Sequence, residues 1–128
     1  LIVASIIEKE SGLINEKAEI AGVFARRIKI GMRLQSDPTV IYGLGDEYDG
    51  SLTRADLKRD TEFNSYTRDG LPPSPISLAG RESIGAALNP LDGESLYFVA
   101  DGSGGHVFTN TLSDHNREVK KFRAMSAR

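Results

Sequence analysis

Two consecutive hydrophobic patterns of helical period occupy the first thirty residues, and they constrain the fold more than any other feature. Apolar residues at positions 2, 3, 6 and 7 predict a helix over residues 1–11 that Gly12 ends. A second helix is predicted from its N-cap at Asn15 to a stop at Gly31. Its apolar face consists of Ile20, Val23, Phe24 and Ile28. These patterns predict that the fold contains more helix than strand.

The middle of the chain predicts short helices joined by turns. A helix capped by Asp37 is expected over residues 39–44, and residues 53–58 and 81–88 also have helical character. The stretch from 61 to 80 holds three of the five prolines. We therefore expect that stretch to be an ordered but irregular loop.

Two segments of strand composition near the end of the chain predict a β-hairpin. Residues 95–100 and 106–109 flank a glycine-rich turn. Ser113 then caps a last predicted helix, whose apolar stripe is Val119, Phe122 and Met125. The expected fold class is therefore α+β: one mostly helical domain over residues 1–128, with a small antiparallel hairpin and a long ordered loop region.

Composition excludes several classes of function. The 128 residues are enough for one domain with a modest core. A net charge of −2 gives no electrostatic reason to expect nucleic acid as a partner. The chain has no cysteine and two histidines, which excludes thiol catalysis, disulfides and an all-histidine zinc site. We expect neither a metal nor a cofactor.

One acidic residue of the first helix is distinguished by its position. At 100° per residue, Glu10 falls at the centre of the apolar stripe, whereas Glu8 points to the opposite side and is expected in water. Burial disfavours the charged carboxylate, so the pKa of Glu10 is expected to rise, as a general acid on a glycosidic bond requires. The alternative is that Glu10 pairs with a basic residue or is solvated where the helix frays at Gly12.

Nine short segments form a set of motifs that covers nearly the whole chain in order: ASIIEKES (4–11), GVF (22–24, with Arg27), GMRLQSDPTVIYG (31–43), SYT (65–67), GLPP (70–73), AALNP (86–90), LYFVA (96–100), GGH (104–106) and HN (115–116). Together they resemble the endolytic murein transglycosylases, the YceG-like family, which implies a lysozyme-like catalytic helix. The pair Glu10-Ser11 also resembles the Glu-Ser pair of soluble lytic transglycosylases and goose-type lysozymes. That likeness selects Glu10, not Glu8, as the catalytic carboxyl.

The resemblance implies cleavage of the β-1,4 bond between N-acetylmuramic acid and N-acetylglucosamine in peptidoglycan glycan strands. No water enters, because the muramic acid C6 hydroxyl attacks its own anomeric carbon and leaves a 1,6-anhydro end. One carboxyl can serve both halves: protonated Glu10 donates to the leaving oxygen, and the carboxylate then accepts the C6 hydroxyl proton. The nucleophile belongs to the substrate, so proximity replaces a positioned water.

Polar and aromatic residues inside these segments are candidate substrate-binding residues. Gln35, Asp37 and Asn64 carry groups that bind the acetamido or hydroxyl groups of a glycan, and Tyr66 has a ring that stacks on a sugar. The alternative role of Asp37 is a helix N-cap, and that of Asn64 is an amide that braces a loop. Tyr42 is expected in the core.

The histidines and the basic cluster have mainly structural interpretations. His106 and His115 are expected in structural or polar-network roles, because no nucleophile motif lies near either. The four cations between residues 26 and 33 are expected to form a solvated helix end, with attraction to acidic peptide stems or anionic lipid as the alternative.

The family normally carries a transmembrane helix and a LysM-like subdomain upstream of its catalytic domain. This chain begins without Met inside a helical pattern, so we expect a catalytic domain that lacks both parts. The resemblance implies a single-pass protein of the bacterial cell membrane with its catalytic domain on the outer face. Its expected partners are peptidoglycan glycan strands and peptidoglycan synthases, with membrane contact only through the missing anchor.

Two other functions stay open from the sequence. A non-catalytic peptidoglycan-binding or scaffold module would keep the aromatic and amide surface without needing a desolvated carboxyl. A hydrolytic muramidase would use a second carboxylate, and the 18 acidic residues leave room for one.

Overall fold

Six helices and one hairpin make up the described part of the chain in the computed structural model, which covers residues 1–126 and side chains through residue 124. In chain order the elements are α1 (Ile2–Glu10), α2 (Ile14–Ile30), α3 (Asp37–Leu44), a 3-10 turn (Gly45–Glu47), α4 (Arg54–Lys58), α5 (Arg81–Leu88), β1 (Tyr97–Ala100), β2 (His106–Thr109) and α6 (Leu112–Ser126). The α+β class is confirmed. Met125 lies outside the described side chains. No helix within the described residues is long and apolar enough to cross a membrane.

The core lies where α1 packs against α2 and α5. Ile6, Ile7 and Phe24 are almost completely inaccessible, as the helical period of α1 and α2 predicts. Each such side chain stabilises the fold by about 1.5–3 kcal/mol relative to an exposed one, so this cluster dominates the stability. Ile28 is 42 % exposed, contrary to its predicted place in the core, because the buried face of α2 passes through Arg27 instead.

The boundaries of α2 are set by one predicted and one unpredicted residue. Gly31 ends the helix in the left-handed conformation, with φ of 75°, as predicted. The start lies before Asn15, so the predicted N-cap there is wrong. The N-cap is Leu13, two residues before Asn15. The Ser11 hydroxyl accepts the Leu13 N–H at 3.0 Å, and this turn places the start of α2 there.

The C-terminal unit consists of the hairpin and α6. β1 and β2 pair antiparallel, with Phe98 opposite Phe108, and the strands agree with the predicted segments except that β1 begins at Tyr97. α6 begins before Ser113, so that predicted cap is also wrong. Thr111 takes the capping role, since its hydroxyl accepts the N–H of Asp114 at 3.2 Å.

Arg27 joins α2 to the hairpin and is only 5 % exposed. Its Nε donates to the Leu96 carbonyl at 2.7 Å, and its Nη1 donates to the carbonyls of Leu34 at 2.7 Å and Arg33 at 3.1 Å. The Tyr97 ring lies 5.2 Å from the guanidinium carbon. The expected solvated helix end is therefore wrong for Arg27, because backbone carbonyls satisfy its guanidinium in the interior.

Candidate active site

A cleft of about 500 Å³ opens beside the C-terminal end of α1. Its walls come from the ends of α1 and α2, the segment before α3, the loop after α4, the hairpin and α6. The lining residues are Glu10, Arg27, Leu34, Gln35, Asp37, Leu57, Tyr66, Phe98, Val99, Ala100, His106, His115, Val119, Phe122 and Arg123. A second groove of about 440 Å³, at the start of α1, is lined by residues without a titratable side chain. Only the first of these two cavities therefore combines an acid with polar neighbours.

Glu10 lies in the cleft with its carboxyl held by one hydrogen bond. The Ser36 hydroxyl donates to Glu10 Oε1 at 2.7 Å. Burial raises the pKa of Glu10 above its usual range, and the negative charge of Asp37 acts in the same direction. The Ser36 hydrogen bond and the charges of His106 and Arg27 oppose this rise without cancelling it. The placement and the pKa direction inferred from the helical period are both confirmed.

Ser36 belongs to a buried hydroxyl network behind Glu10. The Ser65 hydroxyl accepts the Ser36 N–H at 2.8 Å and lies 2.7 Å from the Thr39 hydroxyl. The Thr39 hydroxyl also donates to the Ser36 carbonyl at 2.7 Å. All three side chains are nearly inaccessible, so the donor that touches Glu10 is held rigidly. Ser36 is not among the candidate residues that the sequence predicts, although it lies between two of them, Gln35 and Asp37.

Asp37 and Tyr66 meet on the cleft wall. The Tyr66 hydroxyl donates to Asp37 Oδ1 at 2.6 Å, and burial together with this contact raises the pKa of Tyr66 above its ordinary value. The phenol therefore keeps its proton. Asp37 is the first residue of α3 and Ser36 holds the cap position, so the predicted N-cap role of Asp37 is wrong. Gln35 also lines the cleft, in the left-handed conformation with φ of 52°, a strained backbone for a non-glycine residue.

Asn64 and Tyr42 do not reach the cleft. Asn64 is 1 % exposed; its amide donates to the carbonyls of Leu57 and Arg59, and its oxygen accepts the Tyr66 N–H at 2.8 Å. The loop-bracing alternative is therefore correct for Asn64, and the proposed contact with substrate is wrong. Tyr42 is 47 % exposed and packs on Phe63, so its expected core position is also wrong.

Glu8 is 35 % exposed, in agreement with its predicted solvent side, and it also contacts the start of α5, which the helical period does not predict. Glu8 Oε1 accepts hydrogen bonds from the Gly80 N–H and the Ser83 hydroxyl, both at 2.9 Å. Lys17 Nζ lies 3.9 Å from the same oxygen and donates to Ser83 at 2.8 Å. The Gly80 hydrogen bond is the largest cause that lowers the pKa of Glu8, followed by that of Ser83. The surroundings therefore lower the pKa of Glu8 and raise the pKa of Glu10, although both residues lie on α1.

His106 and His115 also line the cleft, and the sequence predicts structural roles for both. His106 Nδ1 lies 2.8 Å from Glu16 Oε1, which agrees with the expected polar network. His115 stacks on Tyr97 with ring centroids 5.0 Å apart, and burial lowers its pKa. The glycine-rich turn directly before His106 is the sequence feature that could have indicated its place in the cleft, since such turns often bring a side chain into a site.

The described residues hold no group of three or more His, Asp or Glu side chains in a position to bind a metal. If this cleft carries out the glycan cleavage that the family resemblance implies, we expect its rate to stay unchanged in excess EDTA, because proton donation by the candidate acid Glu10 needs no Lewis acid. The measurement is the rate of product release with and without the chelator. Loss of the rate, with recovery on adding one divalent ion, would contradict this prediction.

A carboxyl whose pKa is raised by burial lies in a polar cleft of about 500 Å³ at the end of a core helix, a combination that is typical of sites for acid–base chemistry. The chain belongs to the YceG-like family, whose model matches residues 1–121. It is 43 % identical over 122 residues to the endolytic murein transglycosylase of Bacillus subtilis, covering 95 % of this chain and 34 % of that protein. An endolytic murein transglycosylase of Streptococcus pneumoniae is 34 % identical over 124 residues, covering 93 % of this chain and 22 % of that protein.

The fold has a close solved counterpart. A 2.6 Å crystal structure of a YceG-like protein from Listeria monocytogenes superposes with a TM-score of 0.82 and 43 % identity, over 91 % of this chain and 37 % of that one. The chain spans about a third of the Bacillus relative and about a fifth of the Streptococcus relative. The family resemblance seen in the motifs is therefore confirmed.

Proposed function

We propose that this domain cleaves the glycan strands of peptidoglycan as an endolytic lytic transglycosylase. The observation that carries the proposal is the raised pKa of Glu10 in a cleft of about 500 Å³. A general acid works best when its pKa lies near the working pH, and burial raises the pKa of Glu10 in that direction. Two relatives that are named endolytic murein transglycosylases support the reaction class.

In this proposal, Glu10 donates its proton to the oxygen that leaves the muramic acid anomeric carbon. The C6 hydroxyl of the same sugar attacks that carbon, so the product carries a 1,6-anhydro ring and no water is consumed. Gln35, Asp37 and Tyr66 line the cleft with Glu10, and we assign them to contacts with acetamido and hydroxyl groups of the strand. The Tyr66–Asp37 hydrogen bond fixes both side chains before substrate arrives.

The proposed location is the extracytoplasmic face of the bacterial cell membrane, beside the peptidoglycan substrate. Attachment through an upstream segment and association with peptidoglycan synthases complete the proposal. Cell-wall enzymes among the relatives support the location, since the glycan substrate lies outside the membrane. Localisation of a tagged full-length protein, with and without its upstream segment, tests the attachment.

Mass spectrometry of digested sacculi tests the reaction itself. The purified protein is expected to release fragments that end in 1,6-anhydro-muramic acid, each lighter by one water than a hydrolysis product. Reducing ends would instead show a muramidase, with Asp37 as the available second carboxylate in the cleft. Binding to sacculi without any product would show a binding module. Sacculi incubated with the Glu10→Gln variant provide the background.

A further inference from the structure

Ser36 is the described residue that hydrogen-bonds the Glu10 carboxyl, and the proposed function gives it no role. Its hydroxyl donates to Glu10 Oε1 at 2.7 Å and has no other hydrogen-bond partner among the residues that the structure describes. Ser36 is only 2 % exposed. A small misplacement of a reacting group lowers the rate of an enzyme strongly, so the residue that holds the acid matters for the reaction.

The hydroxyl hydrogens around Ser36 can be assigned from the geometry. The Thr39 hydroxyl has one hydrogen, which it donates to the Ser36 carbonyl at 2.7 Å. The Ser65 hydroxyl is then the donor in its 2.7 Å contact with Thr39, and its oxygen accepts the Ser36 N–H at 2.8 Å. These three hydrogen bonds form a closed ring that holds both backbone groups of Ser36. The Ser36 hydroxyl takes no part in the ring, and its hydrogen is directed to Glu10.

The backbone directly before Ser36 is strained. Gln35 has a φ of 52°, and its N–H donates to the Ser65 carbonyl at 3.2 Å. Ser65 therefore binds two consecutive residues, one through its carbonyl and one through its hydroxyl. A non-glycine residue keeps a left-handed conformation only where its surroundings determine it, and such positions cluster at functional sites. This strain supports a functional reason for the position of Ser36.

The two oxygens of the Glu10 carboxyl have different surroundings. Oε1 accepts the Ser36 hydrogen bond, whereas Oε2 accepts none from the described residues and stays accessible. Because Glu10 lines the cleft, Oε2 is the oxygen available to a ligand there. In the proposed reaction, the leaving oxygen and the incoming C6 oxygen occupy the same face of the sugar ring, since a β-glycoside becomes a 1,6-anhydro ring that is also β. One carboxyl oxygen can therefore serve both.

We propose that Ser36 is the positioning residue of Glu10, and that its hydroxyl holds Oε1 so that Oε2 alone carries out both proton transfers. This inference rests on the proposed function. Oε2 gives its proton to the leaving oxygen as the glycosidic bond breaks. The C6 oxygen then forms its bond to the anomeric carbon, and its proton goes to Oε2, which restores the acid. The hydroxyls of Ser65 and Thr39 keep Ser36 in place through both steps.

Loss of the Ser36 hydroxyl should change the acidity of Glu10 as well as its orientation. A hydrogen bond donated to a carboxylate favours the charged form, so Ser36 lowers the pKa of Glu10 against the larger effect of burial. Ser36→Ala should therefore raise that pKa further and move the decline of activity at high pH to higher pH. The variant keeps the other charged or titratable groups of the cleft, which are Arg27, Asp37, Tyr66, His106, His115 and Arg123.

The test measures the pKa of Glu10 and the pH–rate profile for anhydro products in the purified protein and three variants. NMR of isotope-labelled glutamate carboxyls reports the pKa, and the Glu10→Gln spectrum identifies the signal by its absence. Ser36→Ala is expected to raise the pKa of Glu10 and to lose about 10-fold to 100-fold in rate at the optimum. Ser65→Ala is expected to change both quantities in the same direction by smaller amounts, since it frees only the Ser36 N–H.

Ser5→Ala is the matched control. Ser5 is a buried serine of α1 that does not line the cleft; its hydroxyl donates to the Ile2 carbonyl at 2.6 Å and accepts the Ile76 N–H at 3.0 Å. Its loss also removes a buried hydroxyl, so it should cost stability as Ser36→Ala does. The pKa of Glu10 and the shape of the pH–rate profile should stay unchanged.

The outcomes separate this inference from the function on which it rests. Parent protein without anhydro products would refute the proposed function, and the titration separately tests the contact between Ser36 and Glu10. An unmoved Glu10 pKa in Ser36→Ala would overturn the inference. A rate that is lower by the same factor at every pH would also overturn it, because Ser36 would then only shape the cleft. If Ser36→Ala does not fold, an unmoved Glu10 pKa in Ser65→Ala decides against the inference.

Discussion

Replacement of Glu10 by glutamine is expected to abolish glycan cleavage while the domain stays folded. Glutamine keeps the shape of the side chain and can still accept the 2.7 Å hydrogen bond from Ser36. It cannot donate a proton to the leaving oxygen, so the rate of anhydro-product release should fall on the order of 10²–10⁴-fold. The measurement is the initial rate on isolated glycan strands, with circular dichroism as the check on folding.

Glu8→Gln is the matched control for this loss, because Glu8 lies on the same helix and faces α5 instead of the cleft. Its rate per folded molecule should stay within about twofold of the parent, since no proton transfer of the reaction involves it. A full loss in Glu8→Gln with activity retained in Glu10→Gln would mean that the helical-face assignment is reversed.

The same Glu10 substitution has an expected effect on stability that depends on pH. Burial raises the folded pKa of Glu10, so the parent protein loses stability as pH rises from the unfolded value of about 4.5 to the folded one. Glutamine does not titrate and avoids that loss. Glu10→Gln should therefore be neutral or slightly stabilising at neutral pH, and its advantage should disappear in acid. Urea unfolding at both pH values measures the difference; clear destabilisation at neutral pH would contradict it.

The helical period of α1 predicted the position of Glu10, because the period alone decides which side of a helix a residue occupies. Ile6 and Ile7 are buried where the pattern placed them, and Glu10 follows on the same stripe into the cleft. The period says nothing about what covers the opposite side. Glu8 was therefore assigned to water, although α5, some seventy residues further along the chain, lies against it.

Buried cations were the second feature that local pattern did not predict. Lys17 and Arg27 occupy buried positions of α2 that a hydrophobic pattern excludes. Each is tolerated because polar groups of other elements satisfy it: Ser83 and Glu8 for Lys17, and the Leu96 carbonyl for Arg27. Two of these partners, Ser83 and Leu96, lie nearly seventy residues from the cations that they satisfy, so these contacts become apparent only when the chain is folded.

The sequence predicted the residues of one wall of the cleft, and the other wall arises from packing between segments that are far apart in the chain. The wall that contains Gln35, Asp37 and Tyr66 was expected from polar residues inside the family-like segments. The opposite wall, formed by the hairpin and α6, was not. His106 reaches the cleft because Glu16, ninety residues earlier in the chain, holds it there, and no spacing along the sequence indicates that contact.

Removal of the Glu8 carboxylate is expected to destabilise the fold by about 1–2 kcal/mol. In Glu8→Ala the Gly80 N–H and the Ser83 hydroxyl lose their acceptor, and the nearly inaccessible Lys17 ammonium loses its counter-charge. The loss is moderate because the Glu8 side chain is 35 % exposed and water partly screens its charge. Urea unfolding at neutral pH measures the loss. Glu82→Ala, an exposed carboxylate at the start of α5, is the control and should cost less than about 1 kcal/mol.

Addition of Lys17→Met to Glu8→Ala should restore most of that stability, because it removes the cation whose burial became costly. The acid dependence provides a separate check. Hydrogen bonds from Gly80 and Ser83 lower the folded pKa of Glu8, so its contribution is present above the unfolded value of about 4.5 and is lost as pH falls through the folded value. The gap between parent and Glu8→Ala should therefore narrow in acid. A double variant no more stable than Glu8→Ala would show that Lys17 is not the source of the loss, and that the cost arises from the unsatisfied N–H and hydroxyl at the start of α5.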